Sequence, residues 1–365
     1  MNARQTPTAP TPTQALHDAG QSLWLDSITR TMLDDGTMQH YIDHYNLTGL
    51  TSNPSIFDKA IASGAYDDQI RDLAGKGSPT EDVFFELAIT DLRRAADLFL
   101  PAFERTNGMD GWVSLEVSPT LAYDTAAQLA SASKLHELAA RPNLFIKIPG
   151  TPEGLPAVTD AIAAGVPINI TLLFDAEQYR ATADAYMTAI ERRIARGLDP
   201  DVPSVASVFV SRWDRAVRDK VPEELRDELG LAIGKTAYRA YREVQDSPRW
   251  QRLAGAGARL QRLLWGSTST KDPGAPDTLY ITGLAAPATI NTMPPATLEA
   301  FADHGELGGL LPADGGDGDE VLARFESAGV DLKELATQLQ SDGAAAFVDS
   351  WKHLLARIDS QTDGR

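Results

Sequence analysis

Residues 144–150 read Leu-Phe-Ile-Lys-Ile-Pro-Gly. Strand alternation places Leu144, Ile146 and Ile148 on one face and Phe145, Lys147 and Pro149 on the other. Lys147 therefore stands among apolar neighbours, and Pro149 with Gly150 marks the C-terminal end of the strand. Two readings follow. An edge-strand lysine can snorkel its ammonium into water. Alternatively, the lysine sits at the C-terminal rim where α/β barrels keep their catalytic groups, and there a desolvated lysine is the residue type that attacks a carbonyl carbon.

Similar short runs recur on both sides of this stretch: LWLDS from Leu23, GLTSNPS from Gly49, WVSLEVSP from Trp112, INITLLF from Ile168, VASVFVSR from Val205, RLLWGSTST from Arg262 and DTLYITG from Asp277. Amphipathic helical stretches separate them, among them one beginning at Glu81 and one beginning at Ala176 with Gly197 as its C-cap. Eight strands alternating with helices predict a (β/α)8 TIM barrel over residues 21–297. An open doubly wound sheet is the alternative. No G-x-G-x-x-G follows the first strand and no Walker pattern occurs, which weakens a nucleotide-binding reading. The tail from Leu298 reads as two helical blocks around a Gly/Asp-rich loop at Asp314, giving a C-terminal helical extension over residues 298–365. That loop lacks EF-hand spacing and reads as a solvated turn.

The chain has 365 residues, 43% hydrophobic and 23% charged, and no cysteine. This is the composition of an ordinary globular protein with a sizeable core. Disulfides, thiolate metal sites and cysteine nucleophiles are excluded, and a reducing, cytoplasmic compartment fits. A formal net charge of −18 makes the chain repel nucleic acid and anionic lipid overall, so a phosphorylated ligand requires a local cationic pocket. Residues 1–20, with the Thr-Pro repeat TPTAPTPT at 6–13, read as a disordered leader. They lack the pattern of a targeting peptide, and no apolar run approaches a membrane span.

Alternation also turns other polar residues inward. Glu116 shares the inner face with Ser114 and Ser118, Asp26 lies beside Trp24, and Asn169 pairs with Thr171. Each alone reads equally well as a structural hydrogen bond or an internal ion pair. Together, one lysine and two acids near strand ends suit Schiff-base chemistry. One acid moves the protons of carbinolamine formation and dehydration, the other deprotonates the hydroxyl beside the breaking C–C bond, and the iminium is the electron sink. Such a reaction needs no metal and no organic cofactor. Arg212, Ser267 and Lys271 suggest a phosphate pocket at the ends of late strands, with solvated surface charge as the bland reading. Arg212 does not share the parity of Ser207 and Phe209, so it belongs to the loop past its strand. A metal-dependent hydrolase is disfavoured: His40 and His44 are helically spaced, but Tyr41 stands where a zincin carries glutamate.

The motifs WLDSITR, GLTSNPSIF, SLEVSP, NLFIKIPGTPEG, INITLLF, SVFVSRWD and NTMPPATLEAFADHG resemble transaldolases of the longer bacterial form, in family order, over roughly Gln21 to Arg357. The resemblance implies a class I aldolase barrel of the pentose phosphate pathway. Such an enzyme moves a dihydroxyacetone unit from sedoheptulose 7-phosphate to glyceraldehyde 3-phosphate, giving erythrose 4-phosphate and fructose 6-phosphate. It implies Lys147 as the Schiff-base lysine, Glu116 as an acid working through a water that Thr171 holds, and Asp26 as the base on the cleaved hydroxyl. Asn53 and Asn169 become binders of sugar hydroxyls, Ser207 and Phe209 pocket walls, and Arg212 a phosphate ligand. Lys271 stands where shorter members carry a second phosphate-binding arginine, and lysine lacks that bidentate fork. The resemblance also implies a homodimer. Simple aldol cleavage releasing dihydroxyacetone is the runner-up, and a non-catalytic sugar-phosphate binder would have no use for a buried lysine with two acids.

Overall fold

A computed structural model describes residues 10–362. Eight parallel strands close into a barrel in sequence order: β1 (Ser22–Asp26), β2 (Leu47–Thr51), β3 (Trp112–Glu116), β4 (Leu144–Pro149), β5 (Ile168–Leu173), β6 (Ser204–Phe209), β7 (Arg262–Gly266) and β8 (Ile290–Met293). Helices follow each strand and form the outer layer, as the alternation of patterns required. Outward residues such as Leu25, Val113, Ile146 and Ile170 join the main core beneath those helices.

The inward face is divided by height. At its N-terminal half, Trp24, Trp112, Phe145, Val205, Leu264 and Ile290 form a separate apolar plug. Trp112 stacks on Phe145 with ring centroids 4.0 Å apart. Gly49 on β2 makes room for this plug: a Cβ there would lie 2.7 Å from the Trp24 indole nitrogen and 2.6 Å from the Trp112 carbonyl oxygen. Below the large rings, Arg262 with Ser22 and Asp110 forms a buried polar cluster at the N-terminal end, and above them Lys147, Glu116 and Asp26 lie at the C-terminal end.

The chain departs from the sequence reading at three places. The expected leader of residues 1–20 includes a helix, Pro12–Asp18, with Thr11 as its N-cap and Leu16 fully buried. Proline at the first helical position and threonine before it are start signals that the Thr-Pro repeat conceals; residues 1–9 lie outside the described residues. The run at Asp277 expected as the eighth strand is instead a single helical turn, Leu279–Thr282. A short apolar run cannot be assigned by periodicity alone, and here Tyr280 turns its hydroxyl onto the Asp214 carboxylate, 2.6 Å away. The true β8 is the four-residue INTM, and its following helix, Pro295–His304, is the eighth barrel helix, so a boundary at 298 cuts through it.

The C-terminal helix, Leu332–Thr362, crosses the open end of the barrel. Gln340 fastens it there by donating to the carbonyls of Gly150 at 3.0 Å and Leu172 at 2.9 Å. Farther along, Trp351 packs edge-on against Phe84, with centroids 4.8 Å apart.

Candidate active site

Lys147 and Glu116 are register partners on β4 and β3. Their charged atoms lie 3.3 Å apart, with both side chains almost wholly buried. The ammonium also donates to the Ser52 carbonyl at 3.0 Å. Among the described residues neither Glu116 carboxylate oxygen nor the buried Thr171 hydroxyl has a hydrogen-bond partner. Asp26, at the end of β1, accepts from the Thr51 hydroxyl at 2.8 Å, and Thr51 is in turn 2.7 Å from the Thr292 hydroxyl on β8. One hydroxyl pair thus fixes the carboxylate that faces the lysine across the barrel.

Burial is the largest influence on both acids and raises their pKa values above the usual carboxylate range, while Lys147 is the strongest opposing one. Asp26 is further lowered by its Thr51 hydrogen bond and by the cations Lys271 and Arg212, whereas Glu116 feels the negative charge of Asp26. Two acids with raised pKa values beside a buried amine are placed to take up and return protons.

Asn169, the register partner of Lys147 on β5, spends both ends of its amide on neighbours, donating to the Ser114 hydroxyl at 3.2 Å and accepting from the Ser207 hydroxyl at 2.7 Å. Asn53 uses its side-chain oxygen to cap the helix Pro54–Ile61, accepting from the Ile56 amide at 3.1 Å. An irregularity shapes β5 beside Thr171. Between the pairs Ile170–Ala206 and Leu173–Val208, β5 carries one extra residue, and Leu172 adopts φ of 61°. This bulge directs Leu172 toward the C-terminal helix, where a Cβ at Gly343 would meet its side chain at 2.9 Å.

All the expected site residues except Glu116 and Asn169 line one cavity of about 140 Å³ at the C-terminal end of the barrel, together with Thr51, Thr292, Pro294 and Phe347. Arg212 is not in a loop, as parity suggested, but in the first turn of a short helix, Ser211–Val217, that begins directly after β6. Its guanidinium lies 5.1 Å from the Phe209 ring and 5.7 Å from that of Phe347. Burial and the nearby Arg215 push its pKa below the ordinary arginine range. Ser267, at φ of 55°, sets its hydroxyl 2.9 Å from that of Ser211. Lys271 closes the rim, lowered by partial burial and by the charges of Arg215 and Arg212. Sequence reasoning missed Phe347, Gly343 and Gln340 because nothing local tells where the last helix docks. It also missed Thr51, although the inward parity of β2 could have found it.

A protein-family model matches most of the chain. The model described as Transaldolase/Fructose-6-phosphate aldolase matches residues 23–358. A transaldolase of Thermobifida fusca is 47% identical over 360 residues, covering 96% of this chain and 98% of that protein. A transaldolase of Parafrankia sp. is 45% identical over the same span, with the same coverage.

Proposed function

The chain belongs to the transaldolase/fructose-6-phosphate aldolase family, and on that premise we infer that the protein is a transaldolase in which Lys147 carries the transferred unit. It moves a dihydroxyacetone unit from sedoheptulose 7-phosphate to glyceraldehyde 3-phosphate, leaving erythrose 4-phosphate and giving fructose 6-phosphate. In this reading the Lys147 amine adds to the C2 carbonyl of the donor. Glu116 takes and returns the protons of carbinolamine formation and dehydration, through a water held by Thr171. Asp26 removes the proton of the C4 hydroxyl, the C3–C4 bond breaks, and its electrons enter the iminium to form an enamine. The aldose phosphate leaves, and the enamine attacks the aldehyde of the acceptor by the same steps in reverse. Asn53, Ser207 and Phe209 hold and surround the sugar chain, with Asn169 orienting the Ser207 hydroxyl from behind the cavity, while Arg212, Ser267 and Lys271 receive its phosphate.

The observation that carries this reading is the buried Lys147–Glu116 pair, 3.3 Å apart, in a barrel end that also holds Asp26. Transfer is favoured over release of free dihydroxyacetone because the relatives of nearly full length carry the name transaldolase. The test is incubation with fructose 6-phosphate and borohydride followed by mass mapping. Covalent gain at Lys147, abolished in Lys147→Ala, is the expected result; gain elsewhere, or none, refutes it. No described helix is long and apolar enough to cross a membrane. A cytoplasmic homodimer without nucleic-acid or membrane partners completes the proposal, and sedimentation at micromolar concentration tests the dimer.

A further inference from the structure

Arg212, Ser267 and Lys271 do more than end the catalytic cavity. They also border a larger groove of about 490 Å³ between the short helix Ser211–Val217 and the C-terminal helix. Beyond Arg212 this groove is lined on one side by Arg215 and Lys220, and on the other by Gln338 and Asp342. Arg215 follows Arg212 by three positions, which puts the two on one helical face. The next arginine along, Arg218, faces away from the groove and pairs with Asp272 at 2.8 Å. Among the described residues, neither Arg212 nor Arg215 has a carboxylate within ion-pair distance. Arg215 instead disfavours the charged forms of Arg212 and Lys271. In a chain of formal charge −18, Arg212, Arg215 and Lys271, together with no carboxylate within ion-pair distance among the described residues, form a local anion trap.

We propose that this groove is an outer phosphate subsite in which Arg215 adds to the contacts of Arg212, Ser267 and Lys271 with the phosphate of ketose donors longer than six carbons. The inference rests on the transaldolase reading. A donor is anchored at C2 on Lys147, so the distance from lysine to phosphate grows with chain length: the phosphate is on C6 of a six-carbon donor and on C7 of a seven-carbon one. Arg212 stands at the junction of cavity and groove, flanked by Phe209 and Phe347. A phosphate one carbon farther from Lys147 stays beside Arg212 but sits closer to the groove, where Arg215 adds a second guanidinium. Asp342, across the groove, opposes an anion there and weakens the subsite.

The test compares donor KM values for sedoheptulose 7-phosphate and fructose 6-phosphate, each with saturating acceptor, in the wild type and in Arg215→Gln. A contact with an exposed charge is worth about fivefold in affinity. The KM for the seven-carbon donor is expected to rise about fivefold more than that for the six-carbon donor, a difference that shrinks with added salt. Asp342→Asn moves the same ratio the other way. An equal rise for both donors, or no rise, overturns the outer subsite. Borohydride trapping of the wild type by fructose 6-phosphate separates the two failures: without trapping the transaldolase reading falls, whereas trapping with an unchanged KM ratio removes only the subsite. Arg215 is exposed, and kcat with fructose 6-phosphate reports whether the variant is folded.

Discussion

Replacing Lys147 by alanine removes more than a nucleophile, because its ammonium is the partner of a buried carboxylate. Lys147 is 4% exposed and Glu116 5%, and among the described residues Lys147 alone lies within ion-pair distance of Glu116, whose oxygens accept no hydrogen bond. Removing one member of a buried pair costs about 3–5 kcal/mol while the other stays charged. Protonation of the orphaned acid relieves that cost, so the loss depends on pH. Burial already raises Glu116 and Asp26, and Lys147 is the strongest influence lowering both. Without it, both carboxyls rise further. A carboxyl with a folded pKa above its unfolded value binds more protons when folded. Stability is then retained below the unfolded value, falls as pH rises, and levels off once the folded value is passed.

Lys147→Ala should therefore be little destabilised near pH 5 and should lose about 3 kcal/mol near pH 8, the low end of the range because Arg212 still offsets both acids. Urea unfolding midpoints at the two pH values measure this. The double variant Lys147→Ala/Glu116→Gln should recover much of the loss near pH 8, since the amide carries no charge to strand. A loss independent of pH, or no recovery in the double variant, would refute the reasoning that these groups form a charged pair.

Three further outcomes follow from the same geometry. Thr51→Val removes the hydrogen bond that lowers Asp26, so the acid limb of the kcat–pH profile should move to higher pH, because Asp26 works as a base only when ionised; an unmoved limb assigns the base elsewhere. Arg212→Ala should raise KM for phosphorylated donors by about ten- to a hundredfold, the scale of a charge-assisted contact, and much less for dihydroxyacetone, with Lys271→Ala acting the same way but more weakly; equal effects on phosphorylated and unphosphorylated substrates would make either residue a structural charge. Gly343→Ala puts a Cβ 2.8 Å from the Arg212 guanidinium and 2.9 Å from the buried Leu172 side chain, overpacking that offsets the gain of about 1 kcal/mol in helix propensity, so KM for fructose 6-phosphate should increase with thermal stability unchanged or lower, and an unchanged KM would show that Arg212 is free to shift.

How much of this was legible in the sequence depends on what kind of contact each residue makes. Lys147, Glu116, Asp26 and Thr171 lie on strands, where alternation alone assigns the inner face, and parallel neighbours then meet by register, as Glu116 with Lys147 and Asp26 with Thr51. The same logic fails at β5 and β8 for physical reasons. A bulge adds one residue that alternation cannot count, and a four-residue strand is too short to show a period at all. The phosphate end of the site obeys neither rule. Arg212 is held between Phe209, three positions away, and Phe347 on the last helix, and Gly343 on that helix leaves it room. No local period encodes that docking, because it is set by Gln340 reaching the carbonyls at the ends of two strands. Bond-breaking chemistry can therefore stay fixed on the barrel while the reach and charge of the phosphate pocket vary with two helices, which is where a change in donor preference would be expected to arise.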